Sequence, residues 1–329
     1  MCYALTNDGV ELPVIDVTHP AFAIKLSAEE FEARRQKLVA DMSRNKWMPA
    51  VLHRLLLRLF FRKSVLIQGL RKATDRFLSG MNTYLLKLGP DNLGAGYIGR
   101  GDRQIAGSHP VLCLRLRLQE TARMLAEGFA GPLSARPGAA LHLLNIGGGH
   151  AADSLNSLIV ARAADARLLE GRRIFIHVLD LEADAPDFGR RALAALLAPG
   201  APLHGLDVAF SHVRYNWSEP GVLRGVIAGL GSGDKVITVS TEGALFEYGS
   251  DGDILSNLTL LREVTPGDST ITGSVTRERT EFRRHYSATR IPVVHRGLPR
   301  FTALVKQAGW VVDKAVEGTF SDVVRLTRG

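Results

Sequence analysis

The stretch LHLLNIGGGHAADSLN, residues 141–156, decides the fold of this chain. A short apolar run is followed by three consecutive glycines and then by a polar segment at helical spacing, which predicts a strand, a tight turn and a helix. The missing side chains let backbone N–H groups and the helix N-terminus come close to a ligand, as in nucleotide-binding turns. A turn without a ligand is the alternative, because glycine triplets also form ordinary tight turns.

Short apolar runs and helical segments alternate after Ala139. The predicted strands are 141–146, 173–181, 206–213, 235–241, 269–275, 309–317 and 322–328. Strands that alternate with helices indicate an α/β fold with a mainly parallel, doubly wound sheet of these seven strands. The segment EGTFS between the last two strands is too short for a crossover helix, so these strands are expected to form a C-terminal antiparallel hairpin.

The N-terminal part of the chain has a different spacing of apolar residues. Between residues 28 and 129 the apolar positions recur at intervals of three and four, as in EEFEARRQKLVADM, which is typical of helices. Ser27 followed by Glu30 resembles a capping box. We therefore expect an all-α N-terminal cap or lid over residues 1–135, which precedes the sheet domain of residues 136–329.

The composition indicates a folded, globular chain. Its 329 residues are 46% hydrophobic, which is enough to bury a substantial core. Cys2 and Cys113 are far apart and lack the spacing of metal ligands, so neither a disulfide framework nor a zinc site is predicted. The N-terminus lacks the basic and apolar regions of a secretory signal, and a cytoplasmic location is the expectation.

The formal net charge of +8 raises the question of an anionic partner. The basic residues are scattered and no RNA-binding signature occurs, so a small acidic molecule, or simply a solvated basic surface, is favoured over nucleic acid. The stretch Val51–Leu70 is both basic and apolar. It could lie on an anionic membrane, but apolar residues on all sides of it favour burial with the arginine heads reaching outward. The oligomeric state is left open.

Asp180 lies at the end of the predicted strand that follows the glycine turn. A carboxylate at this place can accept both hydroxyl groups of a ribose that lies over the turn. Asp180 comes about 31 residues after Gly149, further than the usual spacing of about 20, so a long helix and loop must intervene. The turn and the acid together predict a ligand that contains a nucleoside.

Residues 141–328 resemble the class I S-adenosylmethionine-dependent methyltransferases. That family has a glycine-rich turn after its first strand, an acidic residue after its second and a C-terminal antiparallel hairpin, and all three occur here in this order. The resemblance implies a Rossmann-like fold and S-adenosylmethionine as the cofactor. By the family's pattern, Gly147 and Gly149 carry its methionine portion and Asp180 holds its ribose.

Asn216 and Trp217 follow the third strand, where the family places residues against the adenine. Two positions depart from the family's pattern. Asn145 stands where the family has an acid, which weakens an interaction with the cofactor's ammonium group, and Ala151 stands at the third glycine. The complete cofactor-binding set that the resemblance implies is Asn145, Gly147, Gly148, Gly149, Asp180, Leu181, Asn216, Trp217 and Ser240.

The segment STEGALFEYGSDGD follows the fourth strand and so falls at the carboxyl edge of the sheet, where ligands bind in such folds. Glu242 or Tyr248 could position a nucleophile or take its proton, whereas a solvated loop is the alternative. Tyr84 offers an aromatic face of the kind that attracts a sulfonium, although such residues usually belong to the core. His109 and His285 lack an acidic or cysteine neighbour, and no metal site is predicted.

Methyl transfer to a small molecule is the default reaction that the resemblance implies. The lack of an N-P-P-Y motif after the fourth strand favours an oxygen, carbon or carboxylate acceptor of a secondary metabolite. Some methyltransferase-like proteins instead consume the cofactor, closing an azetidine ring to form azetidine-2-carboxylate and expelling methylthioadenosine. An NAD(P)-binding oxidoreductase is a further alternative, because GGGHAA also fits G-x-G-x-x-A, as is a non-catalytic nucleotide-binding protein. The C-terminal hairpin favours the methyltransferase-like fold over the oxidoreductase.

Overall fold

A computed structural model describes residues 1–44, 64, 66, 79–94, 100–278 and 292–329. Most of the basic, apolar stretch 51–70 lies outside these residues, as does His285, so the hypotheses about them stay predictions. Among the helices that are described, none combines the length and the apolar character needed to cross a membrane.

The described chain contains a short hairpin and a central sheet. The hairpin strands are β1 (Tyr3–Leu5) and β2 (Glu11–Pro13). The sheet strands are β3 (Ala140–Ile146), β4 (Arg173–Asp180), β5 (Asp207–Arg214), β6 (Lys235–Thr241), β7 (Thr270–Thr276), β8 (Trp310–Val316) and β9 (Ser321–Arg328). Their order is β5-β4-β3-β6-β7-β9-β8, with β3 to β7 parallel and β9 antiparallel to both neighbours. The predicted α/β class, with seven strands and a C-terminal antiparallel hairpin, is confirmed.

The strand order changes direction between β3 and β6. From β3 the chain runs outward through β4 and β5, and it then returns to β6 on the other side of β3 before it continues to β7. In open α/β sheets, ligands bind at the carboxyl ends of the strands beside such a switch point. The glycine turn follows β3 and Glu242 follows β6, so both lie at this position.

Helices cover both faces of the sheet. They are α1 (Ala28–Arg44), α2 (Gly80–Leu88), α3 (Arg100–Ala106), α4 (His109–Ala135), α5 (Ala152–Ala164), α6 (Asp184–Leu197), α7 (Gly221–Ala228), α8 (Leu245–Tyr248), α9 (Asp251–Val264) and α10 (Gly297–Gln307). Leu141 and Leu143 of β3 join the core with α4, α5 and α6. Leu144 and Ile146 join the core on the opposite face, with α7, α9 and α10. Burial on both faces explains why β3 is nearly continuously apolar.

The N-terminal hairpin corrects the expectation of an all-α cap. β1 and β2 pair antiparallel around a turn in which Gly9 has a φ of +80°. Asn156 of α5 fastens the segment that follows: its Nδ2 donates to Ile15 O at 3.0 Å, and its Oδ1 accepts from Val17 N at 2.8 Å. Strands of three residues are too short to show an alternating pattern, so sequence periodicity does not reveal them.

The described N-terminal residues pack directly against the sheet. Leu12 of the hairpin, Phe129 of α4 and Leu141 of β3 belong to one continuous apolar core. The long helix α4 also contacts β6 and β7. The division into a cap of residues 1–135 and a cofactor-binding domain of residues 136–329 stays a prediction, and the shared core ties the two parts together.

Candidate active site

The glycine turn has the backbone conformation that favours glycine. Gly147 and Gly149 have φ values of +66° and +49°, in the left-handed region that glycine enters readily. Ala151 follows with a φ of +53°, at the position where the family has its third glycine. A residue other than glycine is uncommon in this region, and alanine places only a methyl group there.

Protein atoms fill the space beside each of the three glycines. A β-carbon added to Gly148 would lie 2.2 Å from Asn145 Oδ1, and one added to Gly147 would lie 2.5 Å from the loop after β6. On Gly149 it would lie 3.2 Å from the Cα of Gly80, at the N-terminus of α2. The chain's own packing therefore excludes side chains from the turn, independently of any ligand.

Asp180 lies beside the turn. Its Oδ2 accepts a hydrogen bond from Gly149 N at 2.9 Å, and its Oδ1 accepts one from Glu182 N at 3.0 Å. These bonds fix the carboxylate at the carboxyl end of β4. Because each carboxylate oxygen has about two lone pairs, Asp180 keeps acceptor capacity for hydroxyl groups of a ligand.

A cleft of about 130 Å³ lies between the glycine turn, the ends of β4 and β6, and one face of α2. Among the predicted site residues, it brings together Gly147, Gly148, Gly149, Asp180, Leu181, Trp217, Glu242 and Tyr248. The predicted residues that do not line this cleft are Tyr84, Asn145, Asn216 and Ser240.

Tyr84 belongs to the core and not to the wall of the cleft. Its buried hydroxyl donates to Pro13 O at 2.7 Å and accepts from Ile15 N at 3.0 Å. Its ring packs edge-on against His150 and Phe188, with ring centroids 4.7 Å apart in both cases. Burial raises the pKa of this hydroxyl. The predicted catalytic contact of Tyr84 does not fit this placement, because the hydroxyl fastens the segment after the hairpin.

Asn216 turns back on its own loop, where its Oδ1 accepts from Ser218 N at 3.2 Å. Tyr215, which the sequence analysis did not single out, lines the cleft together with Trp217. Asn257 of α9 holds both: the Tyr215 hydroxyl donates to its Oδ1 at 2.5 Å, and its Nδ2 donates to Trp217 O at 2.7 Å. Asn216 thus does not line the cleft, whereas the aromatic residues on either side of it do, and the predicted adenine contacts stay predictions.

Asn145 and Ser240 lie in a buried polar layer beneath the turn, as register partners on β3 and β6. Asn145 Nδ2 donates to Asp153 Oδ1 at 2.5 Å and to Ser154 Oγ at 3.0 Å. Burial raises the pKa of Asp153. The amide is therefore engaged with the start of α5, and the predicted direct cofactor contacts of Asn145 and Ser240 are not formed by cleft-lining side chains.

Four charged residues with largely buried side chains connect the cleft to α4. We call them the ionic network; they are Lys87, Arg117, Glu242 and Glu247. Lys87 Nζ pairs with Glu242 Oε2, and Arg117 Nε lies 2.5 Å from Glu242 Oε1. Arg117 also donates from Nη1 to both carboxylate oxygens of Glu247, at 3.0 and 3.1 Å. The side chains of Lys87 and Glu242 are only 2% and 6% exposed, so each desolvated charge depends on its partners.

Glu242 is a weak base in this network. Burial by itself raises the pKa of its carboxyl, but the charges of Arg117 and Lys87 outweigh burial and lower the pKa to about 2. A carboxylate with so low a pKa is a poor proton acceptor near neutral pH. Burial and the charge of Glu247 raise the pKa of the Tyr248 hydroxyl, which stays protonated. The geometry thus favours an electrostatic role for Glu242 over the predicted proton transfer.

His150 lines the cleft, although the sequence analysis did not single it out. Its Nδ1 accepts from Ala152 N at 3.1 Å, which assigns the ring proton to Nε2. Burial and the charge of Lys87 lower the pKa of the imidazole to about 3. The ring is therefore a neutral hydrogen-bond donor and not a base. Within the described ranges, no group of three His, Cys, Asp or Glu residues could hold a metal ion.

One face of α2 supplies further cleft residues that no sequence pattern indicated. Gly80, Thr83 and Lys87 recur at intervals of three and four, which places them on one side of the helix, and all three line the cleft. The spacing is visible in the sequence, but it does not show what this face contacts.

Comparisons with known proteins bear on the fold. A possible exported protein of Bordetella parapertussis matches with a TM-score of 0.56 and 13% identity, over 93% of this chain and 100% of that chain. LepI in complex with SAM matches with a TM-score of 0.40 and 16% identity, over 62% of this chain and 46% of that chain. Human N-acetylserotonin methyltransferase in complex with SAM matches with a TM-score of 0.39 and 13% identity, over 67% of this chain and 55% of that chain.

This chain thus spans less than two thirds of the LepI and N-acetylserotonin methyltransferase chains. No family model and no curated protein matches the sequence. The match to the Bordetella protein covers nearly the whole chain and indicates that the two chains share their fold. With the glycine turn after β3, the acid after β4 and β9 inserted antiparallel between β7 and β8, the chain has the Rossmann-like fold that its sequence predicts.

Proposed function

We propose that the chain binds S-adenosylmethionine and transfers its methyl group to a small-molecule acceptor. The observation that carries the proposal is the hydrogen bond from Gly149 N to Asp180, 2.9 Å long, at the switch point of the sheet. It joins the carboxylate at the end of β4 to the turn after β3. This arrangement suits a ribose at the carboxylate with the adjoining part of the ligand over the turn.

The surroundings of this carboxylate suit an adenosyl sulfonium. Tyr215 and Trp217 line the same cleft, and aromatic faces both stack on bases and attract cations. The cleft of about 130 Å³ is smaller than ligand pockets of about 300–1,000 Å³. We therefore expect α2 or the Lys87–Glu242 ion pair to shift when the cofactor enters.

The bound cofactor would supply a methyl group on a positively charged sulfur. The chain's part is to align the cofactor with the acceptor and to exclude water, and α2 covers the turn at the Gly80–Gly149 contact. The pKa values of Glu242 and His150, about 2 and about 3, make both residues weak bases. We therefore favour an acceptor that ionises without help, such as a carboxylate or an acidic hydroxyl.

Cyclisation of the cofactor is the second candidate function. The small cleft and the packing of α2 on the turn favour it, because a reaction within one molecule needs no room for an acceptor. That reaction forms a C–N bond and breaks a C–S bond of the same molecule, and it releases azetidine-2-carboxylate, methylthioadenosine and a proton.

Incubation of the full chain with S-adenosylmethionine, alone and with a panel of acceptors, tests the proposal by mass spectrometry. S-adenosylhomocysteine that appears only with an acceptor supports methyl transfer, whereas methylthioadenosine formed without an acceptor supports cyclisation. Binding without turnover would indicate a non-catalytic protein.

Asp180→Ala tests the assignment of the cofactor site. The substitution removes the charged acceptor for the hydrogen bonds from the ribose hydroxyls. We therefore expect the affinity for the cofactor, measured by calorimetry, to fall by at least about tenfold. Asp207→Ala is the matched control, since that exposed carboxylate lies at the opposite end of the neighbouring strand. Equal affinities of the two variants would remove Asp180 from the site.

A further inference from the structure

We propose that Lys87 and Glu242 bind the amino-acid end of the cofactor, with Lys87 at its carboxylate and Glu242 at its ammonium group. The inference rests on the proposed function, because it assigns residues to one part of that cofactor. It also replaces the predicted proton-accepting role of Glu242 by a binding role.

Position 145 does not supply an anion for the ammonium group. Asn145 is fully buried, and its amide nitrogen donates to Asp153 and Ser154 in the layer beneath the turn. The ammonium group of the cofactor therefore needs a partner on another element. Among the described residues that line the cleft, Lys87 is the only one with a cationic side chain.

The Lys87–Glu242 ion pair and Asp180 lie on opposite sides of the glycine turn. Asp180 ends β4, the glycine turn follows β3 and Glu242 follows β6, and these strands are neighbours in that order. At about 4.8 Å between neighbouring strands, Asp180 and Glu242 lie roughly 10 Å apart on opposite sides of the turn. A ligand whose ribose lies at Asp180 and whose sulfur lies over the turn brings its amino-acid end toward Glu242 and Lys87.

The charges of the ionic network favour a zwitterionic ligand. The ionic network contains two cations and two carboxylates, so its formal charge is zero. When an amino-acid zwitterion enters between Lys87 and Glu242, each buried charge keeps an opposite charge beside it. A ligand with only one of the two charges leaves a buried charge unpaired, which is strongly unfavourable. The pair therefore selects for an intact amino-acid end.

The rest of the network keeps Glu242 in place during this exchange. Arg117 Nε lies 2.5 Å from Glu242 Oε1, on the oxygen that Lys87 does not use. Arg117 is itself held by both oxygens of Glu247. Opening of the Lys87–Glu242 pair thus leaves the carboxylate oriented, while the flexible lysine side chain moves.

The test compares two nucleosides that differ at this end. S-adenosylhomocysteine carries the amino-acid group and 5′-methylthioadenosine lacks it. We expect Lys87→Met and Glu242→Gln each to weaken S-adenosylhomocysteine at least about 30-fold in calorimetry, because each removes one partner of a buried charge pair. Binding of 5′-methylthioadenosine should stay within about threefold of the unchanged protein. Arg224→Met, which breaks an exposed ion pair with Glu263, is the control.

Retained binding of 5′-methylthioadenosine also shows that a variant is folded. If the variants bind both nucleosides more weakly by the same factor, or bind both as well as the unchanged protein does, this pair does not bind the amino-acid end and the inference is overturned. In those cases the unchanged protein still binds S-adenosylhomocysteine, and the proposed function stands. An unchanged protein that binds neither nucleoside refutes the proposed function and this inference with it.

Discussion

Replacement of Gly148 by alanine should destabilise the protein by about 3 kcal/mol. The added β-carbon would lie 2.2 Å from Asn145 Oδ1, well inside the 3.4 Å at which ordinary contact begins. To make room, the amide has to leave its bonds to Asp153 and Ser154, at 2.5 and 3.0 Å. Each buried polar group left without a partner costs about 1–3 kcal/mol, which sets the expected size of the loss.

Urea unfolding measures this loss, with Gly138→Ala as the matched control. Gly138 has open space around its Cα, so alanine there should change the free energy of unfolding by less than about 1 kcal/mol. In an Asn145→Ala background the cost of Gly148→Ala should shrink by about 1–2 kcal/mol, because the two residues then collide less. Equal stabilities of Gly148→Ala and Gly138→Ala would show that packing beneath the turn does not require the glycine.

Two further predictions concern the core beside the cleft. Tyr84→Phe should lower the free energy of unfolding by about 1–3 kcal/mol, because Pro13 O and Ile15 N lose their buried partner; an unchanged urea midpoint would contradict this. His150 has a folded pKa of about 3 against an ordinary value of 6.5, so its contribution to stability is complete above pH 6.5 and falls as the pH drops toward 3. Between pH 7 and pH 5, the free energy of unfolding measured in urea should fall by up to about 1.4 kcal/mol per pH unit because of this group. The His150→Gln variant should show a smaller fall. Equal pH dependence of the variant and the unchanged protein would contradict the burial of a neutral ring.

The sheet could be predicted because its strands carry their own signal. Runs such as Leu141–Ile146 are buried on both faces, so their apolar character is nearly continuous and is visible without knowledge of the partners. The positions of the glycine turn and Asp180 could also be predicted from the sequence. Each adjoins the end of a predicted strand, and in a parallel sheet these ends lie together at the carboxyl edge.

The rest of the site depends on contacts between distant parts of the chain. Lys87 and Glu242 are 155 positions apart, and no local pattern in either segment indicates that they meet. The resemblance places Asn216 against the adenine because of its position after the third strand. The loop instead uses that amide for its own turn at Ser218 N and directs the neighbouring aromatic ring inward. Such local bonds compete with contacts to a ligand, and the position of Tyr215 depends on its bond to Asn257, 42 positions away.

The anchoring of the N-terminal hairpin sets an order of events during synthesis. Arg191 of α6 donates to Leu5 O and, from its Nη2 at 2.6 Å, to Asn7 Oδ1, across 186 and 184 positions of the chain. The hairpin therefore reaches its docking surface only after the chain as far as α6 has left the ribosome. Contacts of such long sequence separation form late. Docking of the hairpin is thus a late event in folding, because it requires α6 to be present.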